Sequence, residues 1–233
     1  VISISAALPA YNEEENIGPM IESLDSVLAS ITDDYEIVIV DDGSKDRTSD
    51  RVLEMKKRYP KVRLVRHPVN QGFGAAVYTA FTSAAKEWVF YTDSDRQFLV
   101  EEISRLLPLT EKADIVAGYR APRADPLPRK VFGFGWFALC TLLFGYTARD
   151  IDCAFKLFRR EIMERIHVDS RGATFSIEFL VRAKRAGYRI AEVPVSHVPR
   201  PAGSPTGAKI SVIVRAFREL VRFRLKLWRE RRA

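Results

Sequence analysis

Cysteine is nearly absent, with Cys140 and Cys153 the only two among 233 residues. Two thiols build neither a disulfide scaffold nor a thiolate zinc site, and such usage fits a reducing compartment. No basic-plus-apolar leader opens the chain; Val1 to Ala7 reads as a first strand instead. The dinucleotide fingerprint G-x-G-x-x-G is missing from the one place it would have to stand, because P-A-Y-N-E follows that strand. A nicotinamide-binding Rossmann domain is thereby disfavoured. Charge is missing from residues 131–148, which hold none for 18 positions. That run barely reaches a membrane-spanning length and carries glycines at 133, 135 and 145, so a buried or interfacial helix is expected rather than a full crossing.

What is present is ordinary globular composition, 47% hydrophobic and 29% charged, enough for one good core and too little for two generous domains. The formal net charge of +7 is unevenly placed. Residues 205–233 hold nine Lys or Arg against Glu219 and Glu230, a net +7, so residues 1–204 sum to zero. The basicity belongs to the tail, which predicts an anionic surface meeting that tail, lipid or nucleic acid. Within it Ile210, Ile213, Val214, Phe217, Val221 and Trp228 fall roughly on one side of a helix, with Arg215, Arg218, Arg222, Lys226 and Arg229 on others. This is the pattern of an amphipathic helix on a membrane surface. Nucleic acid is the weaker partner, since no stacking platform or reading motif accompanies the tail. The apolar side could also dock on the domain itself.

Short apolar strands alternate with helical repeats along the rest. Val1–Leu8, Glu36–Val40, Val62–Val65, Trp88–Tyr91 and Ile115–Ala117 read as strands, with helices between them; Glu101–Leu107 and Thr174–Ala186 read as further helices. The order predicts an α/β fold with a mostly parallel central sheet covered by helices on both faces. Arg149–Arg160 alternates apolar and polar residues and reads as a further strand.

Carboxylates cluster just beyond strand ends, where open α/β sheets bind ligands. Asp93 and Asp95, with Gln97 two positions on, form an oxygen-rich set suited to Mg²⁺ or Mn²⁺, and a bound divalent ion would want phosphate. The plain alternative is that D-S-D caps the following helix. Asp41 and Asp42 could accept hydrogen bonds from a base or ribose, or cap their own turn through Gly43 and Ser44. Gly72 and Gly74 could bring backbone close to a phosphate at a helix amino end, or only permit close helix packing. Glu178 could be a general base, an orienter of an arginine or a capping partner; Arg200 and Ser204, in a late Pro/Gly loop, could close over phosphate.

Taken together, these stretches resemble the family-two glycosyltransferases of GT-A fold, in particular the dolichol-phosphate mannosyltransferase and polyprenyl-phosphate glycosyltransferase group. The resemblance rests on Pro9-x-Tyr11-Asn12-Glu13, Val40-Asp41-Asp42-Gly43-Ser44-x-Asp46-x-Thr48, Asn70-x-Gly72-x-Gly74-x-Ala76, Asp93-Ser94-Asp95-x-Gln97, Gly118-x-Arg120, the run from Asp150 to Arg160, and His197-x-x-Arg200-x-x-Gly203. It spans nearly the whole chain. It implies a GT-A catalytic domain over 1–204 and a basic, membrane-surface tail over 205–233. Pro9, Tyr11, Glu13, Asp41, Asp42 and Ser44 would frame the nucleotide, and Gly72, Gly74 and Ser94 would lie beside it. Asp93, Asp95 and Gln97 would hold Mg²⁺ or Mn²⁺. Asp95, Arg120, Arg129 and Glu178 are the catalytic candidates, and Arg200 with Ser204 the donor lid. The implied reaction is inverting transfer of mannose or glucose from a UDP- or GDP-hexose to dolichyl or polyprenyl monophosphate. A hydroxyl acceptor on a glycan, protein or small molecule would need a true base such as Asp150, Asp152 or Glu178. A non-catalytic nucleotide-sugar-binding or membrane-scaffold protein is the reading from another class.

The chain departs from the family pattern at Gly133, Phe137 and Ala154 and at Gly203-Ser204-Pro205-Thr206, which bear on the acceptor and lid. Family members often carry transmembrane helices after the catalytic domain. Here peripheral attachment at the cytoplasmic face is expected, through the apolar helix 131–148 and the tail or through a membrane-anchored partner protein, and no nucleic acid.

Overall fold

The computed structural model describes residues 2–121, 127–203 and 210–230, with side chains throughout except over 127–132 and 210–214. In chain order the elements are β1 (Ile4–Ala10), α1 (Ile17–Ile31), β2 (Tyr35–Asp41), α2 (Thr48–Arg58), β3 (Val62–Arg66), α3 (Phe73–Ser83) and β4 (Trp88–Thr92). There follow α4 (Ile103–Leu106), β5 (Ile115–Arg120), α5 (Leu127–Phe144), β6 (Phe155–Arg159), α6 (Ile162–Arg165), α7 (Phe175–Arg185), β7 (Ile190–Val195) and α8 (Ile210–Glu230). The single helix expected over Glu101–Leu107 is split: α4 is flanked by 3₁₀ turns at Val100–Glu102 and Leu107–Glu111. Pro108 lacks the amide that a continuing helix needs.

Seven strands form one sheet in the order β3-β2-β1-β4-β6-β5-β7. β1 pairs in parallel with β2 and β4, β2 with β3, and β5 with β7. β6 lies antiparallel between β4 and β5. The expectation of a mostly parallel sheet therefore holds, with one inserted reversed strand. Only Phe155–Arg159 of the alternating run Arg149–Arg160 is strand. Its first six residues form the turn that delivers Asp150 and Asp152 to the sheet edge.

Every residue of β1, β2 and β4 is buried, as strands covered on both faces must be. The centre of the core is aromatic. Phe81 of α3 stands with its ring centroid 4.6 Å from Phe158 and within 5.5 Å of Tyr91, Phe175 and Phe179. That cluster joins α3, β4, β6 and α7, each buried Phe contributing about 1.5–3 kcal/mol.

α5 lies on the surface of this core. Cys140 is fully buried and Trp136, Phe137, Leu143 and Phe144 pack partly against the core, while Phe134 and Leu142 are 71% and 83% exposed. Among the described residues no helix is long and apolar enough to cross a membrane. α8 docks beside α5: Phe144 stacks on Phe223 at 5.0 Å and Trp136 meets Phe217 edge-on at 5.9 Å. Ala216, Leu220, Phe223 and Leu227 are buried beneath it. The stripe that docks is not the one expected: of the predicted apolar side, Phe217, Val221 and Trp228 stay exposed together with Leu225.

Gly74 begins α3 against the chain just before α7, and a Cβ there would stand 2.5 Å from the Gly172 carbonyl oxygen. Backbone cannot give way cheaply at that distance. Gly74→Ala is expected to cost about 1–3 kcal/mol, read as a lower midpoint in chemical denaturation, while Ala76→Gly in the same helix should cost less.

Candidate active site

Three parallel strands end side by side. Ala10 lies opposite Asp41 and Ala7 opposite Tyr91, so Pro9 to Glu13, Asp41 to Ser44 and Asp93 to Gln97 leave the sheet along one carboxyl edge. The loops there are stitched together by short bonds. The Ser94 hydroxyl donates to the Pro9 carbonyl at 2.6 Å, and the Asn12 amide donates to Ser44 Oγ at 3.0 Å. The Glu13 amide reaches Thr48 Oγ1 at 2.8 Å, and the Lys45 amide reaches Asn12 Oδ1 at 2.9 Å. Tyr11 stays half-buried on this rim.

Asp41 and Asp42 are buried and turned inward. Asp41 accepts from the Ser44 amide at 2.8 Å and from the Ser49 hydroxyl. Asp42 accepts from the Gln71 and Gly72 amides at 2.9 Å each and faces His67 Nδ1 at 2.7 Å. The turn-capping alternative thus describes Asp41, and Asp42 fastens the glycine turn to the end of β2. In that turn Gly72 lies 3.1 Å, measured from a Cβ position, from the Arg171 carbonyl. The Ala75 amide donates to the same carbonyl at 3.2 Å. The amino end of α3 therefore meets protein backbone, which is the packing alternative for Gly72 and Gly74.

Glu13 and Arg200 form the front of the site. The Arg200 Nη2 lies 2.7 Å from both Glu13 carboxylate oxygens, and its Nη1 is 3.6 Å from Asp95 Oδ2. Asn16 Nδ2 also donates to Glu13 at 2.7 Å, and to the Ala202 carbonyl at 3.2 Å. These bonds draw the late loop across the strand ends. Gln97 holds it from the other side, donating through Nε2 to the Val198 carbonyl at 3.2 Å and accepting the Val198 amide on its backbone carbonyl at 2.9 Å. Ser204 and the side chain of Arg129 lie outside the described residues.

Asp93 and Asp95 end β4 as a coupled pair. Burial pushes the Asp93 carboxyl up to about 7, the Asp95 charge adds to the rise, and the Tyr91 hydroxyl, Lys156 and Arg120 oppose it. A carboxylate so disfavoured is one that a cation would restore to its ionised form. The donor set fits a hard divalent ion: two carboxylates, with the Gln97 amide nitrogen already engaged and its oxygen left for the ion. Among the described residues no group of three or more His, Cys, Asp or Glu forms a metal cage, so phosphate oxygens of a ligand would have to complete the shell.

Beside this pair opens a small cavity of about 40 Å³ lined by Arg120, Arg149, Asp150, Ile151 and Asp152 and by Gly133, Trp136 and Phe137 of α5. Asp150 grips Arg120 in a fork, with Nε to Oδ2 and Nη2 to Oδ1 both 2.7 Å. Arg149 is exposed and its guanidinium lies 4.6 Å above the Tyr119 ring. The sequence reading missed Lys156, which is fully buried, bonded through Nζ to the carbonyls of Ile151 and Cys153, and held 5.9 Å from the Tyr91 ring. It pins the turn carrying Asp150 and Asp152, and its charge bears on Asp93. The signal for it was a lysine in an otherwise apolar strand, F-K-L-F.

Glu178 stands apart. Its Oε1 accepts from Arg182 Nε at 2.7 Å and from the Asp169 amide at 3.2 Å, and its Oε2 accepts from the Ser170 amide at 2.9 Å. Both oxygens are committed to a turn and an arginine, which is the orienting and capping alternative, not that of a base.

Residues 5–167 match glycosyl transferase family 2. The chain belongs to that family. Among curated relatives it is 36% identical to the dolichyl-phosphate beta-glucosyltransferase ALG5A of Trichomonas vaginalis, covering 83% of this chain and 65% of that protein. It is 28% identical to the undecaprenyl-phosphate 4-deoxy-4-formamido-L-arabinose transferase of Photorhabdus laumondii, covering 86% and 61%. The chain thus spans less than two thirds of either protein. Among solved structures, glucosyl-3-phosphoglycerate synthase from Mycobacterium tuberculosis with phosphoglyceric acid superposes at a TM-score of 0.73 and 20% identity, over 95% of this chain and 80% of that one. The same enzyme with Mn²⁺, uridine diphosphate and glucosyl-3-phosphoglycerate superposes at 0.69 and 20% identity, over 97% and 79%. These likenesses establish the GT-A fold. In this family 2 chain the sheet edge described above is the carboxyl edge of that fold.

Removing the Asp42 carboxylate should release the glycine turn. Asp42→Ala is expected to cost about 2–3 kcal/mol and to speed amide hydrogen exchange at Gln71 and Gly72, with Asp41→Ala leaving those two amides protected.

Proposed function

We propose that this family 2 glycosyltransferase moves a hexose from a nucleoside diphosphate sugar to the phosphate of a dolichyl or polyprenyl monophosphate, inverting the anomeric carbon. The observation that carries this is a juxtaposition: a carboxylate pair fit for a divalent ion adjoins an arginine-lined cavity whose other wall is a surface apolar helix. The names of the dolichyl- and undecaprenyl-phosphate relatives support the same acceptor class.

In this reading Tyr11 and Glu13 border the nucleoside, over a floor kept in shape by Asp41 and Asp42. Asp93, Asp95 and the Gln97 side chain would hold Mg²⁺ or Mn²⁺, which would neutralise charge gathering on the leaving diphosphate. Arg200, already poised within 3.6 Å of Asp95, exchanges its bond to Glu13 for one to the diphosphate. Arg120 and Arg129 place the acceptor phosphate, Arg120 being oriented by the Asp150 fork. One oxygen of that phosphate attacks the anomeric carbon as the carbon–oxygen bond to the diphosphate breaks, and the nucleoside diphosphate departs. The acceptor is already anionic near neutrality, so no base has to take a proton. Glu178, spent on Arg182, is dispensable for the chemistry. The enzyme works at a membrane surface, where such acceptors reside.

Incubation with Mn²⁺, mixed UDP- and GDP-hexoses and a short polyprenyl phosphate, followed by mass spectrometry, should yield a glycosylated lipid phosphate and identify the sugar. Asp95→Asn is expected to lower turnover by roughly 10²–10³-fold with the fold intact. Nucleotide release without the lipid product would overturn the acceptor and point to a hydroxyl. The raised Asp93 carboxyl also sets a pH dependence. A proton competes with the cation, so Mn²⁺ affinity measured by calorimetry should be flat above about pH 7 and fall about tenfold per pH unit below it. In the Asp95→Asn protein the like-charge contribution is gone, so the fall should begin at lower pH.

A further inference from the structure

α8 divides its charges between two sides. Its carboxylates turn to the domain: Glu219 accepts from the Thr174 hydroxyl at 2.7 Å, and Glu230 lies 3.4 Å from the Arg182 guanidinium. Lys226 follows them to Asp169. Arg218, Arg222, Arg224 and Arg229 make no ion pair among the described residues. They are interleaved with the exposed Phe217, Val221 and Leu225, and α5 adds Phe134 and Leu142. The Trp136–Phe217 and Phe144–Phe223 contacts run in the same direction along both helices, so α5 and α8 lie side by side and their exposed apolar residues belong to one surface.

At one end of that surface, α5, α7 and α8 leave a groove of about 110 Å³. Val181 and Leu227 are buried in its walls, Leu143 and Phe144 extend its apolar lining, and Arg185 and Arg224 supply two guanidiniums. No acidic residue lines it. Two arginines beside an apolar channel match a phosphate with a hydrocarbon chain attached. Nucleic acid would satisfy the arginines but leave Leu142, Val221 and Leu225 in water. An anionic bilayer satisfies both.

We propose that the α5/α8 surface seats this protein on an anionic bilayer, and that the groove between Arg185 and Arg224 takes the phosphodiester headgroup of an individual phospholipid. The proposal rests on the membrane-surface placement above but is separate from the acceptor cavity, which lies at Arg120 and Arg149. The guanidiniums bind the phosphate oxygens while the first part of the acyl chain lies along Leu143, Phe144 and Leu227. The remaining arginines add affinity without choosing a headgroup.

The whole chain should float with phosphatidylcholine vesicles that contain phosphatidylglycerol and stay behind with phosphatidylcholine alone. The groove itself is tested with dihexanoyl phosphatidylglycerol below its micellar concentration, where no bilayer field exists. Saturable binding by the wild-type chain is expected, weakened on the order of tenfold in R185Q/R224Q and little changed in R218Q/R222Q, which loses the same charge outside the groove. Thermal melts confirm that both variants fold, and the wild-type titration stands without either. Equal loss in the two variants, or no saturable binding, overturns the headgroup site. Equal flotation with neutral vesicles, or tighter binding to duplex RNA than to anionic vesicles at the same salt, overturns the bilayer. Turnover of a detergent-dispersed acceptor should be unchanged in R185Q/R224Q. An enzyme inactive in that assay that still floats refutes the proposed reaction alone.

Discussion

Two carboxylates at the end of one strand do not remain ionised together unless positive charge surrounds them, and the functional edge of this protein is arranged around that constraint. Lys156 stands behind Asp93 from the neighbouring antiparallel strand, Arg120 flanks it from β5, and Arg200 approaches Asp95 from the late loop. Of the three, Arg200 pairs loosely with Asp95 at 3.6 Å, and the main bonds of all three go to other groups. Lys156 is bonded to carbonyls, Arg120 to Asp150 and Arg200 to Glu13, so each brings its charge close while remaining satisfied elsewhere. The carboxylates are left partly uncompensated, with Asp93 disposed to hold a proton, a state that suits a site made to accept a further cation.

The same economy explains the loops. Asp41, Asp42 and Ser94 spend their oxygens on neighbouring backbone and hydroxyl groups, so the strand ends form a fixed floor and do not have to wait for a ligand to order them. Asp42 sets the glycine turn, the glycine turn rests on Arg171 and Gly172, and Gly172 adjoins the carboxylate of Glu219 on α8. Adding a side chain at Gly72 or Gly74 matters because backbone, not water, occupies the space, and at Gly172 the Glu219 carboxylate occupies it.

Much of the edge could be read from the sequence because the signals were local. A short apolar strand that stops at two aspartates, a D-D-G turn and an N-Q-G-F-G turn each declare themselves within a few residues, and strand order then brings them together. What escaped the reading was long-range. The reversal of β6 depends on its fit between β4 and β5, which no periodicity within F-K-L-F-R records. The inward turn of Asp42 depends on amides some thirty positions away, and the commitment of Glu178 depends on a turn that precedes its own helix. Lys156 looked like a polar position on a strand until the turn it bonds was folded over it. The tail was legible as amphipathic, but its two apolar stripes could not be told apart without α5 to cover one of them.

The contact between Arg200 and Glu13 makes the ligand-free site an occupied one. Both carboxylate oxygens of Glu13 already face a guanidinium, which leans toward Asp95 as well. An anion drawn to this arginine would enter by substitution: it would compete with a carboxylate for the same guanidinium and leave Glu13 with its bond from Asn16. The internal pair would then act as a threshold, set by the hold of one carboxylate on the arginine, that an incoming anion has to exceed.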